Sequence, residues 1–180
     1  MREWIPVSTS PKGRLVLAAV KEFGARPFEE VTVAELAAAA KVTTGALYHH
    51  FGSKLGLYAF VRDDVERRLL DRMEGALAAA SPTSPSPDGP ASVNSAAVMS
   101  ALLVGLDFAV RENFLHILGE PPSGTAQDAL ADLLGRHAPA PLLGRILAAA
   151  WRAALAAIAD GAPPGQARAA LAALHLRSPG

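Results

Sequence analysis

The chain has 180 residues, 51% of them hydrophobic, which is enough apolar material for a folded core and excludes wholesale disorder. Its 17 Lys/Arg cancel its 17 Asp/Glu, so it is not a nucleic-acid binder held by bulk charge, and the absence of cysteine excludes disulfides, thiolate metal sites and thiol redox sensing. The alanine excess, sparse aromatics and 14 prolines falling mostly between periodic runs predict an all-α fold.

The opening MREWIPVSTSPKGR lacks an apolar core of signal-peptide length, so a cytoplasmic location is expected. After it, Ser10 caps a first predicted helix that accepts Pro11 at its opening position. Leu15, Ala19 and Phe23, widened by Val16 and Val20, form its inward stripe, and Gly24 ends it. Residues 25–31, with Pro27, connect to the next element.

Thr32 and Glu35 have capping-box spacing, so a second helix is predicted from Val33, with Val33, Leu36, Ala37 and Ala40 at helical intervals. Lys41-Val42-Thr43 breaks the run. Val42 plugs the corner, and Thr43 caps a third, short helix from Thr44. At 100° per residue, Thr44, Gly45, Tyr48 and His49 share a face while Leu47 points back to the second helix. That shared face is small, polar and aromatic, unlike a core face, and its helix start offers N–H groups that suit a phosphate. The segment therefore reads as a helix-turn-helix with an outside partner.

Ser53 caps a long helix carrying Leu57, Phe60, Val61, Val65, Leu69, Met73 and Leu77 on one stripe over roughly 27 residues, with Arg62, Asp63, Glu66, Arg67 and Asp71 as a solvated opposite face. SPTSPSPDGPAS, residues 81–92, opposes helix and sheet alike and is expected to be an exposed linker. A second module is expected from Asn94, where Val98, Leu102, Leu106 and Val110 repeat every four residues. Residues 120–124 break it, and 125–137 read as a short helix with Ala126, Leu130, Leu133 and Leu134 inward and Asp128 and Asp132 outward. A long helix over 141–159, charged only at Arg145 and Arg152, needs partners all round. A final helix spans 166–176, with Ala167, Leu171 and Leu174 on one side. These last two helices suit either a four-helix dimer interface or a monomer core. The apolar stretches 96–110 and 142–159 are interrupted by Asp107, Arg145 and Arg152 and fall short of about 20 residues, so no membrane partner is expected.

GRLVLAAVKEFGARPFEEV followed by TVAELAAAAKVTTGALYHHFGSKLGLY resembles the DNA-binding domain of the TetR family of transcriptional regulators over residues 13–70, most specifically in GALYHHFGSK. The resemblance implies a three-helix DNA-binding domain at 1–53, a connecting helix at 54–80, the linker at 81–93, and a helical ligand-binding and dimerisation domain at 94–180. It implies that Thr44, Gly45 and Ala46 approach base edges of a double-stranded operator, that Tyr48, His49 and Lys54 hold phosphates, and that Thr32 contacts the backbone. Thr43 and Lys41 join this set from the cap and the turn. The small base-facing residues carry little code, so DNA shape is expected to contribute.

In the second module the resemblance implies a small-molecule effector, apolar or amphipathic, with Leu103, Phe108, Phe114, His116 and Trp151 as lining and Asp107 or Arg111 as a polar handle; core packing is the competing reading for each aromatic. Homodimerisation through the two C-terminal helices would set two recognition helices about 34 Å apart, and the effector would favour a mismatched spacing, most simply releasing a repressor. The chain departs from the family pattern at Lys41, where glycine is usual in the turn and a Cβ in the left-handed region costs about 1 kcal/mol, and at Pro27, where glycine is also common. No cofactor or metal is expected: His49 and His50 are adjacent and splay apart, and His116, His137 and His175 are isolated from any HExxH or paired-carboxylate pattern. Without a phosphate loop or GxSxG the chain does not read as an enzyme. A helical scaffold with a vestigial helix-turn-helix, or more distantly a helical enzyme, are the alternatives.

Overall fold

The computed structural model describes residues 9–80, 90–122, 127–138 and 140–174, leaving aside the side chains of 90–94 and 141. Nine α-helices and a 3-10 turn, with no strand, make up these described residues. They form two compact units, Met1–Val65 and Glu66–Gly180. The division falls inside a long helix.

In the first unit α1 (Pro11–Ala25) starts as the local chemistry dictates, with the Ser10 hydroxyl accepting from the Gly13 amide at 3.0 Å and proline at the first turn. It runs one residue past Gly24. The 3-10 turn Phe28–Glu30 follows Pro27. Next come α2 (Val33–Ala39) and α3 (Thr44–Phe51), and then α4 (Lys54–Ala80), whose first turn is capped by Ser53 accepting from the Gly56 amide at 2.9 Å. Leu15, Val16, Ala19, Phe23, Val31, Leu36, Leu47, Leu57 and Val61 form one buried core behind α2 and α3. The expected stripe on α4 is buried throughout except Phe60, which stays half-covered.

In the second unit α5 (Pro90–Arg111) begins four residues before Asn94: Pro90 opens a helix, a position proline tolerates because the missing amide has no partner there. The remainder of the expected linker, 81–89, lies outside the described residues. A short α6 (Leu115–Gly119), not anticipated from the sequence, follows a left-handed turn at Asn113. The helix expected at 125–137 is α7 (Ala129–His137): Asp128 caps it, accepting from the Ala131 amide at 3.1 Å, and Ala126 lies outside the described residues. Helix α8 (Pro141–Ala159) has its expected bounds, whereas α9 (Pro164–Ala172) begins two residues early and stops before Leu174, because Pro164 pre-sets a helix start. His175 lies outside the described residues.

Close approach organises this unit. A Cβ on Gly144 of α8 would run into the Ala131 carbonyl and the Gly135 backbone, so α7 and α8 meet backbone to backbone. Trp151, fully buried, donates from Nε1 to the Leu102 carbonyl at 3.0 Å. Arg152, 8% exposed, makes a two-pronged pair with Asp128 at 2.6 and 2.8 Å. Burial, the largest influence on Asp128, pushes its carboxyl up, but the Arg152 bonds and the Ala131 amide outweigh it and leave the carboxyl below its ordinary value. By length and apolar composition 142–159 could cross a membrane, yet 33% of it is buried against its neighbours.

Candidate nucleic-acid interface

The interface is assembled from the two ends of α2 and the start of α3. At the front of α2, the Thr32 hydroxyl accepts from the Glu35 amide at 3.2 Å while Glu35 accepts from the Thr32 amide and hydroxyl, both at 2.7 Å. These Thr32 bonds, the side-chain one foremost, and then the Arg26 bond at 3.1 Å, hold the Glu35 carboxyl at about 2. Arg26 is itself pushed up by Glu22 first and Glu35 second.

At the back of α2 the chain closes in a Schellman turn. The Val42 amide donates to the Ala37 carbonyl and the Lys41 amide to the Ala38 carbonyl, each at 3.0 Å, and Lys41 stands in the left-handed region at φ 53°. The turn thus keeps the conformation that glycine adopts most easily, with a lysine in it. Thr43 then caps α3 by accepting from the Ala46 amide at 3.3 Å.

On α3, Leu47 is fully buried and anchors the helix to the core. Thr44, Gly45, Tyr48, His49 and His50 are exposed, as are Thr32, Lys41 and Thr43, while Ala46 is half-buried; Tyr48 keeps 53% of its surface in water. The rings of His49 and His50 lie edge to face with centroids 5.0 Å apart. Seven of the nine candidate residues are thus exposed. Lys54 differs. Half-buried, it donates to the Phe28 and Val31 carbonyls, both at 2.9 Å, with Nζ 4.0 Å from the centre of the Phe28 ring. The expected phosphate ligand therefore points two bonds into its own domain.

Sequence reasoning missed Arg14. Its Nε donates to the Ala40 carbonyl at 2.9 Å and its Nη1 to the Thr9 carbonyl at 2.7 Å. A partner 26 residues away leaves no local signal.

The seven effector candidates occupy different settings in the second unit. Phe108 and Phe114 are buried and pack edge to face at 5.5 Å, with Arg68 over both rings and Arg72 over Phe108. Trp151 is buried in the core, Leu103 and His116 are half-buried, Asp107 pairs with Arg168 at 2.6 Å, and exposed Arg111 sits 3.7 Å from Glu112. Three surface depressions of the second unit, of about 260, 450 and 660 Å³, include none of the seven in their walls. The 450 Å³ one is an apolar groove between α8 and α9, walled chiefly by alanines with Leu171 and Leu174. Among the described residues no three His, Asp or Glu side chains group as a metal site.

A short helix carrying small, polar and aromatic groups into solvent, seated by a capped partner helix and a tight turn, defines a helix-turn-helix DNA-binding regulator. Residues 15–60 match the family model of bacterial regulatory proteins, tetR family. The fold is similar to that of a TetR-like transcriptional regulator from Rhodococcus sp. RHA1, at 22% identity over 89% of this chain and 91% of that one, with a TM-score of 0.63. It is similar also to a tetR-family transcriptional regulator from Streptomyces coelicolor, at 21% identity over 89% and 76% of the two chains with a TM-score of 0.60. A TerR/AcrR-family transcriptional regulator from Aquifex aeolicus VF5 shares the fold at 15% identity, over 90% and 95%, with a TM-score of 0.54. No curated protein matches the sequence. Residues 15–60 thus carry the DNA-binding domain of the tetR-family regulators, and the chain as a whole shares the fold of TetR-like regulators. Regulators of this family bind DNA operators, dimerise, and are generally not enzymes.

Proposed function

We propose that this regulator reads its operator with Thr44, Gly45 and Ala46 at base edges and Thr32, Lys41, Thr43, Tyr48 and His49 along the phosphates. It does so as a cytoplasmic homodimer joined through α8 and α9. The observation that carries this reading is Gly45. A glycine inside a helix costs about 1 kcal/mol relative to alanine, and here a Cβ would find only ordinary contact, its nearest neighbour being Thr43 Oγ1 at 3.7 Å. Nothing inside the domain asks for that glycine. A surface approaching from outside does, and the N–H groups at the start of α3 and the flanking hydroxyls suit that surface to a DNA backbone.

The dimer reading is supported by the α8/α9 groove and by Leu142 and Ile146, 63% and 55% exposed on α8. A second copy would cover such a face, and two recognition helices about 34 Å apart would then meet successive major grooves. The proposed mode is repression relieved by a small, largely apolar effector. An effector taken up around Phe108, Phe114 and Trp151 would displace packed side chains, so its site would be opened by the ligand.

The test is selection from a random duplex library by the purified full chain at low salt. Enrichment of a two-fold symmetric sequence is expected. Recovery of no sequence preference would sink the reading.

A further inference from the structure

Resting on the DNA-binding reading above, we propose that Arg14 and Lys54 are positioning residues that clamp the two ends of α2, and not ligands of DNA phosphate. Helix α2 has only seven residues, too few for independent stability, so its placement depends on what holds its ends. At the rear, the Schellman turn satisfies the carbonyls of Ala37 and Ala38, and the Arg14 guanidinium takes the Ala40 carbonyl, the residue directly before left-handed Lys41. A cation at the negative end of a helix is favourable, and this one is anchored on α1.

At the front, Lys54 draws in the Val31 carbonyl, directly before the cap Thr32, and the Phe28 carbonyl that opens the 3-10 turn. Lys54 is the first residue of α4, where the positive end of the helix dipole disfavours an ammonium. Two carbonyl oxygens and the Phe28 ring offset that cost, and Phe28 is fixed in turn against Phe23 and Tyr58, with centroids 5.8 and 4.9 Å away. Thus α1 holds α2 by its tail and α4 holds it by its head. Through the turn at 41–43 this sets where α3 presents Thr44 and Gly45. Of the two lysines between residues 32 and 54, Lys41 is the one left on the surface.

The test uses the full chain with two duplexes of equal length, the one enriched by the selection above and one of mixed sequence, titrated over a range of NaCl well below the melting temperature. A phosphate ligand contributes about 0.9 to the slope of log K against log salt, so a residue lost from both copies of a dimer removes about 1.8. For Lys54→Met and Arg14→Met the slope is expected to match wild type, while preference for the enriched duplex falls about tenfold, the size of one lost base contact. Lys54→Arg should recover most of the preference. Lys41→Met should lower the slope by about 1.8, one phosphate contact per copy.

A slope lower by about 1.8 in Lys54→Met or Arg14→Met overturns the clamp for that residue. So does an unchanged preference. Should either variant fail to fold, Phe28→Leu and Arg14→Lys keep the charge while weakening the clamp. The clamp then predicts reduced preference at unchanged slope, and wild-type behaviour in both readouts overturns it. If wild type prefers neither duplex, the DNA reading itself fails, which is a distinct result.

Discussion

Helix α3 and helix α8 both leave much of their surface uncovered, but what they leave uncovered differs in kind. Around its single buried anchor, Leu47, α3 exposes hydroxyls, imidazoles, a phenol and a glycine. Helix α8 keeps its one buried charge inward, on Asp128, and exposes Leu142, Ile146, Ala149, Ala153, Ala156 and Ala157. Polar groups gain little from another apolar surface and much from a hydrogen-bonding one, whereas alanines and leucines gain only by leaving water. On the reading proposed above, the two helices take different partners, DNA and a second protein helix. The neutral net charge makes them interdependent, because one weakly basic domain needs a paired copy to bind well.

The largest effect is expected from breaking the α8 side of this contrast. Ala153→Glu places a carboxylate in the α8/α9 groove without touching the helix-turn-helix. The protein should become monomeric by light scattering and lose operator affinity by roughly 100-fold, the scale of lost bivalency. A variant that stayed dimeric and bound DNA normally would place the interface elsewhere.

Filling Gly45 sharpens the α3 side. Gly45→Ala should raise stability by roughly 0.5–1 kcal/mol in thermal melts, since the methyl fits and the helix gains propensity. The same methyl should weaken the enriched duplex by about tenfold. Opposite signs for stability and binding are the signature of a residue placed for its partner. Unchanged anisotropy titrations would remove Gly45 from the interface.

What was legible beforehand follows the range of the interactions. The caps at Ser10, Thr32, Thr43 and Ser53 act over three residues, so the first unit's helix starts were readable from spacing. The left-handed residue at Lys41 was expected through the family resemblance, which puts glycine at that turn. By contrast Arg14 and Lys54 act across 26 and 23 residues or more, and Arg152 meets Asp128 across 24. Lys54, expected to hold phosphate, donates to two carbonyls of its own domain, and Asp128, expected to face outward, pairs with Arg152. Short α6 was missed because PheLeuHisIleLeuGly is too brief for periodicity to separate from the end of α5. The aromatics of the second unit illustrate the same limit: Phe108, Phe114 and Trp151 suit a ligand or a core equally by type, and only packing separates the two.

The smallest effect expected bears on what supports α3 from behind. Glu35 titrates at about 2 in the folded chain against an ordinary value of 4.5. A lowered folded value means the carboxylate's contribution is complete above about 4.5 and disappears as pH falls through about 2. Melting curves of wild type and Glu35→Gln should therefore differ most at neutral pH and converge across that window. A difference independent of pH between 2 and 5 would mean that folding does not hold the Glu35 carboxyl below its ordinary value. Salt separates the two sources of the shift. Glu35 is exposed, so screening should weaken its attraction to Arg26, whereas the hydrogen bonds with Thr32 are short and local and should persist. A wild-type advantage that survives high salt would then identify the cap itself, rather than the ion pair, as what fixes the front of α2.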